Sequence, residues 1–121
     1  MSQILAVAAG GAVGSVLRYL ISRVPFVSAL SWATLLVNVI GSFLLGLFLT
    51  LAGSRIELTQ EAQAFVAIGL LGGFTTFSTF SQQTMTLWQT ERLAIAGLNI
   101  ILNVSLGLLA AWLGWRLGRM L

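Results

Sequence analysis

The 121-residue sequence contains no lysine, aspartate, histidine or cysteine, and its only charged residues are six arginines and three glutamates. Without cysteine it has no disulfide, no thiol nucleophile and no thiolate metal ligand. Without histidine or aspartate, a side-chain metal site would depend on the glutamates alone. No nucleophile–base pair is available, so we expect no enzyme activity. The arginines are scattered singly and form no basic patch, which argues against nucleic acid as a partner.

The scarcity of charge also decides the class of protein. Charged residues make up 7% of the chain, whereas soluble domains carry about 25%. Apolar residues make up 58%, and the mean hydropathy is +1.00. So little polar surface cannot cover a domain in water, and the composition therefore predicts an integral membrane protein.

Four apolar stretches are long enough to cross a bilayer, for which a helix needs about 20 residues. They cover about residues 3–22, 32–52, 62–89 and 93–115. The first stretch lacks basic leading residues and contains Arg18 late in its course, which argues against a cleaved signal peptide. The sequence predicts an all-α integral membrane protein with one transmembrane domain over residues 1–121, four transmembrane helices, and membrane lipid around it.

The arginines are divided evenly between the two ends of these spans. One side carries Arg55, Arg116 and Arg119, and the other carries Arg18, Arg23 and Arg92. Cytoplasmic loops normally hold an excess of basic residues, and that excess sets the orientation. The even division favours a dual-topology chain that works as an antiparallel homodimer. The alternative is that the amino terminus or a loop length selects one orientation.

Three asparagines lie inside apolar spans, where an unpaired polar group is costly. Asn38 occupies the middle of the second span, and Asn99 and Asn103 lie one turn apart on one face of the fourth. Each could be a hydrogen-bonded contact between helices, which is a common use of asparagine in membranes. Three amides, together with the polar run in the third span, favour a lined pathway instead.

The third span contains the run GGFTTFSTFS at residues 72–81. Adjacent glycines and adjacent threonines weaken a helix, and the span of about 28 residues would measure roughly 42 Å as a helix. We expect a break at mid-membrane near residues 72–76, where irregular backbone must be buried in protein or line a polar cavity. Broken helices of this kind bind ions in transporters, and freed carbonyls there could hold a cation.

Phe77 and Phe80 follow the expected break at a spacing that places them on one helix face. Ser78, Thr79 and Ser81 add hydroxyls beside them. An aromatic ring has a positive edge, so two edges facing a narrow passage would attract an anion without a formal countercharge. The alternative is that both rings only pack, and the spacing alone favours that alternative.

The run GGFTTFSTFS, Asn38 within VNVIG and the segment GGAVGSVLR together resemble the Fluc (CrcB) family of fluoride channels over the whole chain. The resemblance implies a fluoride-selective passive channel that exports cytoplasmic fluoride across the bacterial inner membrane and gives fluoride resistance. It implies two fluoride pathways in an antiparallel, dual-topology homodimer. It also implies a structural sodium ion at the dimer interface, held by the backbone carbonyls of Gly72 and Thr75.

The resemblance assigns pathway roles to residues in all four spans. The pore phenylalanines correspond to Phe77 and Phe80, and the pore amide corresponds to Asn38. The fourth-span polar track corresponds to Asn103 with Asn99, and the first-span arginine corresponds to Arg18. The hydroxyls of Ser78, Thr79 and Ser81 accompany them. Many family members carry a glutamate where this chain has Gln83, which puts any role of that acid at the pore entrance in doubt.

Two other functions remain possible at this point. A small multidrug-type, proton-coupled exporter would also have four spans and dual topology, but it would carry a glutamate in the first span, where this chain has only Arg18. A non-transporting assembly subunit would show no ion flux and would tolerate changes in the TTFSTFS segment.

Overall fold

The computed structural model describes residues 2–25 and 32–121, and within them the chain forms helices and no strands. The helices are α1 (Ser2–Ser22), α2 (Ala33–Ser54), α3 (Gln60–Gln63), a π-helix (Ala64–Leu71), α4 (Gly72–Phe74), α5 (Phe77–Gln89) and α6 (Leu93–Met120). Four segments are long and apolar enough to span a membrane: Ser2–Ser22, Ala33–Ser54, Gln60–Gln89 and Leu93–Met120. The prediction of four membrane-capable helices is confirmed. The predicted connection after the first span falls largely on residues 26–31, outside the described residues.

The helices pack as two parallel pairs, and glycines allow the close approach. α1 runs along residues 60–74, and α2 runs along α6. A Cβ at Gly14 would overlap the Leu70 carbonyl oxygen and lie 2.8 Å from the Phe74 nitrogen. A Cβ at Gly114 would overlap the Phe43 carbonyl oxygen in the same way. Small residues let helices approach closely in lipid, where apolar burial alone does not drive association.

The ends of the helices show which termini share a side of the bundle. Ser2 Oγ donates to Glu61 Oε1 at 2.9 Å, and Gln3 Nε2 donates to Gln60 Oε1 at 2.6 Å. The start of α1 therefore lies beside the start of the third span. This places residues 2–3 and 60–61 on one side, as an even number of crossings between them requires.

The backbone of the third span changes conformation twice. Residues 64–71 form a π-helix, which the sequence did not predict. α4 ends at Phe74, Thr75 (φ −82°, ψ 159°) and Thr76 (φ −154°, ψ 116°) are extended, and α5 begins at Phe77. The paired glycines at 72 and 73 are helical, so the extended residues are the two threonines.

A helix cap within the third span and a close contact with α2 hold this extended segment in place. Thr76 Oγ1 accepts from the Thr79 N–H at 3.2 Å and so caps the first turn of α5. A Cβ at Gly41 would overlap Thr75 Cγ2 and lie 3.3 Å from Phe74 Cδ1. The absence of a side chain at Gly41 therefore makes room for the extended segment against α2.

Candidate functional site

The side-chain amide of Asn38 binds the extended segment of the third span through both polar groups of Thr76's backbone. Its Oδ1 accepts from the Thr76 N–H at 2.8 Å, and its Nδ2 donates to the Thr76 carbonyl at 3.2 Å. Nδ2 also donates to Asn103 Oδ1 at 3.1 Å. The amide of Asn38 thus replaces backbone hydrogen bonds that Thr76 lacks outside a helix.

From Asn103 the hydrogen bonds continue along α6 and return to α5. Asn103 is 8% exposed, and its Nδ2 lies 3.0 Å from both the carbonyl oxygen and Oδ1 of Asn99. Asn99 Nδ2 donates to Thr84 Oγ1 at 3.0 Å, and Thr84 Oγ1 donates to the Phe80 carbonyl at 2.9 Å. We call the connected set the amide network; it consists of Thr76, Asn38, Asn103, Asn99 and Thr84. It joins α2, α5 and α6 by polar contacts.

Phe77 and Phe80 lie next to this network at the start of α5. Their ring centroids are 5.4 Å apart with an interplanar angle of 61°, an edge-to-face arrangement. Phe80 is 8% exposed, whereas Phe77 is 76% exposed. One ring is therefore held inside the protomer, and the other projects from its surface.

The three hydroxyls that accompany the phenylalanines have different surroundings. Thr79 Oγ1 accepts from Thr76 Oγ1 at 3.0 Å, which leaves its own hydrogen available to another acceptor. Ser78 is exposed and its Oγ lies 3.4 Å from Thr76 Oγ1. Ser81 Oγ donates to the Phe77 carbonyl at 2.9 Å within its own helix. Of the three hydroxyls, Thr79 is thus the one that accepts a hydrogen bond and donates none among the described residues.

Two cavities lie at the end of the bundle where α1 ends and α2 and α6 begin, and Thr79 lines both. The larger, of about 640 Å³, lies between α5 and α6 and includes Gln83 and Asn99. The smaller, of about 300 Å³, includes Arg18, Thr34 and Thr76. Arg18 Nε is buried and has no hydrogen-bond partner among the described residues. The structure therefore places Arg18 beside Thr76 and Thr79, although it does not hydrogen-bond to the amide network.

The two carbonyls predicted to hold sodium belong to Thr75, at the start of the extended segment, and to Gly72, in α4 just before it. Thr75 donates through its N–H and Oγ1 to the Leu71 carbonyl, at 3.1 and 3.0 Å. Its own carbonyl accepts no hydrogen bond from any described residue, and Gly72 is exposed. No cluster of three or more His, Cys, Asp or Glu side chains occurs in the described part of the chain. Any cation here would thus be held by backbone or hydroxyl oxygens.

Two features of the site were not predicted from the sequence. Thr84 links Asn99 to α5, and Arg92 lines the larger cavity together with Gln82, Thr86 and Thr90. The spacing of Thr79, Gln83, Thr86 and Thr90 along the chain would have revealed this polar face, because residues three or four apart share one face of a helix. Their positions in the more polar half of the third span made them resemble an ordinary exposed end.

Comparison with known proteins extends over almost the whole chain. A family model described as CrcB-like protein, Camphor Resistance (CrcB), matches residues 5–115. A protein of Shewanella halifaxensis (strain HAW-EB4) named Fluoride-specific ion channel FluC is 44% identical over 120 residues, or 97% of this chain and 96% of that protein. Proteins of the same name from Shewanella sp. (strain ANA-3) and Shewanella baltica (strain OS185) are 46% and 47% identical over the same shares. The matched region includes the entire amide network.

Proposed function

The chain belongs to the CrcB-like family, and from that premise we propose that this multi-pass membrane protein is a fluoride-specific ion channel. It conducts fluoride passively, down its electrochemical gradient, and so exports it from the bacterial cytoplasm across the inner membrane. Its activity is ion conduction rather than catalysis.

One observation carries the proposal for the mechanism: the amide network and Thr79 provide neutral donors beside the Phe77–Phe80 pair, with no carboxylate among them. The three glutamates lie at positions 57, 61 and 91, near the ends of the spans. A coupled exchanger normally needs an ionisable relay within the membrane. Neutral donors and aromatic edges instead suit a small anion that sheds part of its water, and a narrow bore would favour fluoride over larger halides.

The amides of the network have different hydrogen-bond partners, which indicates different roles. The Nδ2 group of Asn38 donates to two protein acceptors, so Asn38 holds the Thr76 backbone in position. Asn99 uses one N–H for Thr84 and lines the larger cavity. We therefore propose that Asn99 and Thr79 face the ion, and that Asn38 and Asn103 orient them. The edges of Phe77 and Phe80 continue the path, and Arg18 aids the anion from the smaller cavity.

We further propose that the working unit is an antiparallel, dual-topology dimer with two pathways. The even division of the arginines supports insertion in both orientations. Phe77 is 76% exposed in the protomer, which leaves its ring free to contact a second copy. In such a pair, the extended segment at Thr75 and Thr76 would lie at mid-membrane, near the dimer centre.

A structural sodium ion fits the oxygen atoms at this segment. The carbonyls of Gly72 and Thr75 are the groups that would hold it, and the Thr75 carbonyl has no other partner among the described residues. Neutral oxygen ligands suit hard cations. Bound there, the ion would add positive charge and link the two chains.

The small multidrug-type exporter is not supported. The relatives are named fluoride channels, and α1 contains no acidic residue that could couple protons to the export of a cation.

The direct test is fluoride efflux from liposomes that contain the purified protein, measured with a fluoride electrode and repeated with chloride. We expect fluoride release without chloride release. Phe80→Ile removes the buried ring edge and should reduce the fluoride flux at least tenfold, a loss of about 1.4 kcal/mol or more. Phe48→Ile, the same change in α2 and away from the amide network, should leave the flux unchanged.

Two results would contradict the proposal. Wild-type protein that releases no fluoride would exclude a channel, and it would favour the non-transporting subunit if residues 75–81 also tolerated substitution. An unchanged flux in Phe80→Ile would remove the phenylalanine pair from the pathway.

A further inference from the structure

The larger cavity is an inlet between α5 and α6 whose wall is largely apolar but includes several polar side chains. It is lined on the α5 side by Thr79, Gln83 and Thr90, and on the α6 side by Arg92 and Asn99. Arg92 immediately precedes the first residue of α6, and Asn99 lies seven residues further on. At 1.5 Å per residue, the inlet therefore extends about 10 Å from Arg92 to Asn99. It ends at the donors that we assign to the ion.

Formal charge in this inlet comes from a single residue. Among the described residues that line it, Arg92 is the only charged one, and Gln83 is neutral. Glu91 is next to Arg92 in the chain but does not line the cavity. Among the described residues, no acidic group forms an ion pair with Arg92.

We propose that Arg92 is the residue that attracts the anion into the larger inlet. Its charge raises the local fluoride concentration in the space next to Asn99 and Thr79. This inference rests on the proposed channel function and adds a residue and an entrance to it. Arg18 serves the smaller cavity, and Thr79 lines both cavities. Each protomer thus has two inlets to one row of donors, each with one arginine and no carboxylate.

The size of the effect follows from Coulomb's law. A unit charge about 10 Å away, at an effective dielectric constant of roughly 40–80, changes the local concentration of a monovalent anion about two- to fourfold. At 1 M salt the screening length falls to about 3 Å, and the effect should disappear. A contact residue that binds the ion directly would not lose its influence in this way.

The experiment compares fluoride flux into liposomes at low and at high concentrations of an impermeant salt. The readout is the ratio of the flux at low salt to the flux at high salt within each variant, which cancels the amount of active protein. We expect Arg92→Gln to lower this ratio about two- to fourfold and Arg92→Lys to restore it. Gln83→Glu places an opposing charge in the same inlet and should lower the ratio without altering Arg92.

Arg23→Gln is the matched control. Arg23 is exposed, lines neither inlet and lies on the same side as Arg92, so both variants change the charge and the orientation bias equally. Its ratio should equal that of the wild type. If Arg92→Gln and Arg23→Gln have the same ratio, or Gln83→Glu has the wild-type ratio, the role of Arg92 is overturned while the channel function stands. Wild-type protein without any fluoride flux would overturn both proposals.

Discussion

At the scale of single residues, Asn38 shows how a polar side chain becomes tolerable inside a membrane. An unpaired amide there would be costly, yet both polar atoms of the Asn38 side chain face partners in Thr76 or Asn103. The same contacts satisfy the Thr76 backbone, which has left the helix. The amide and the irregular backbone therefore stabilise each other.

Asn38→Ala should consequently destabilise the protein. It leaves the Thr76 N–H without its acceptor and Asn103 Oδ1 without its donor, which should lower the free energy of unfolding by about 1–3 kcal/mol. Thermal unfolding in detergent, followed by tryptophan fluorescence, measures the change. The fluoride flux should fall as well, since the donors lose their orientation.

Ser42→Ala is the control for this change, because Ser42 lies one turn further along α2 and its hydroxyl forms no hydrogen bond among the described residues. It should unfold like the wild type. Equal stability of Asn38→Ala and Ser42→Ala would show that the amide contributes no net hydrogen-bond energy.

At the scale of elements, the helices are held together by backbone contact rather than by interlocking large side chains. Fully buried side chains are few among the described residues, and Val37 is the largest of them at 1% exposure. α2 and α6 approach each other through Gly46, where a Cβ would overlap the Ala111 carbonyl oxygen. Lipid tails are as apolar as leucine, so this close packing supplies the association that water would otherwise drive.

Gly46→Ala should therefore separate α2 from α6. The added methyl meets a backbone oxygen that has no rotamer to change, and overpacking of this kind costs about 1–3 kcal/mol. The midpoint of thermal unfolding should fall accordingly.

Gly53 provides a matched comparison, since it lies two turns further along the same face of α2, where a Cβ would have no other atom within 4 Å. Gly53→Ala should leave the midpoint unchanged or raise it slightly, because alanine favours a helix by up to about 1 kcal/mol over glycine. A loss of stability as large as that of Gly46→Ala would contradict the packing argument.

At the scale of the whole molecule, the protomer has an apolar surface on almost every long helix, with exposed leucine, isoleucine and valine side chains along α1, α2 and α6. Lipid can cover such a surface, and so can a second copy of the chain. With charges so few, the three-to-three division of the arginines becomes the dominant influence on orientation. The proposed antiparallel pair needs both orientations in similar amounts.

A single charge should therefore shift the orientation of the chain. Arg23→Gln leaves three arginines on the side of the carboxyl terminus against two on the other, so that side should become cytoplasmic. Arg55→Gln should produce the opposite bias. Reporters fused to the carboxyl terminus, one active in the cytoplasm and one active outside it, measure the two populations.

The same variants test the dimer. Each alone should have reduced fluoride flux in cells, because few antiparallel pairs can form, and expression of both together should restore it. A wild-type chain with a single orientation, or full flux from one biased variant alone, would contradict dual topology.

Much of this protein could be predicted from its sequence, because the relevant physics is local. The length of each apolar stretch alone determines that four helices can cross a bilayer. The helical period determines that Asn99 and Asn103 share a face, and the structure joins them by hydrogen bonds. The chemical character of the site, with amides, hydroxyls and aromatic edges but no acid, is likewise determined by the residue types.

Only the tertiary structure decided which groups those side chains hydrogen-bond to and which cavities they line. Asn38 finds its partners 38 and 65 residues away in the chain, and no local pattern encodes such a pairing. Arg92 resembled a boundary charge until the packing of α5 against α6 placed it at the mouth of a cavity. The π-helix is not evident from propensity either, because helix propensity does not distinguish it from an ordinary helix, and close contact with α1 accompanies the change. Apolar length is a property of one segment, whereas a cavity or a hydrogen-bond network depends on how several segments meet.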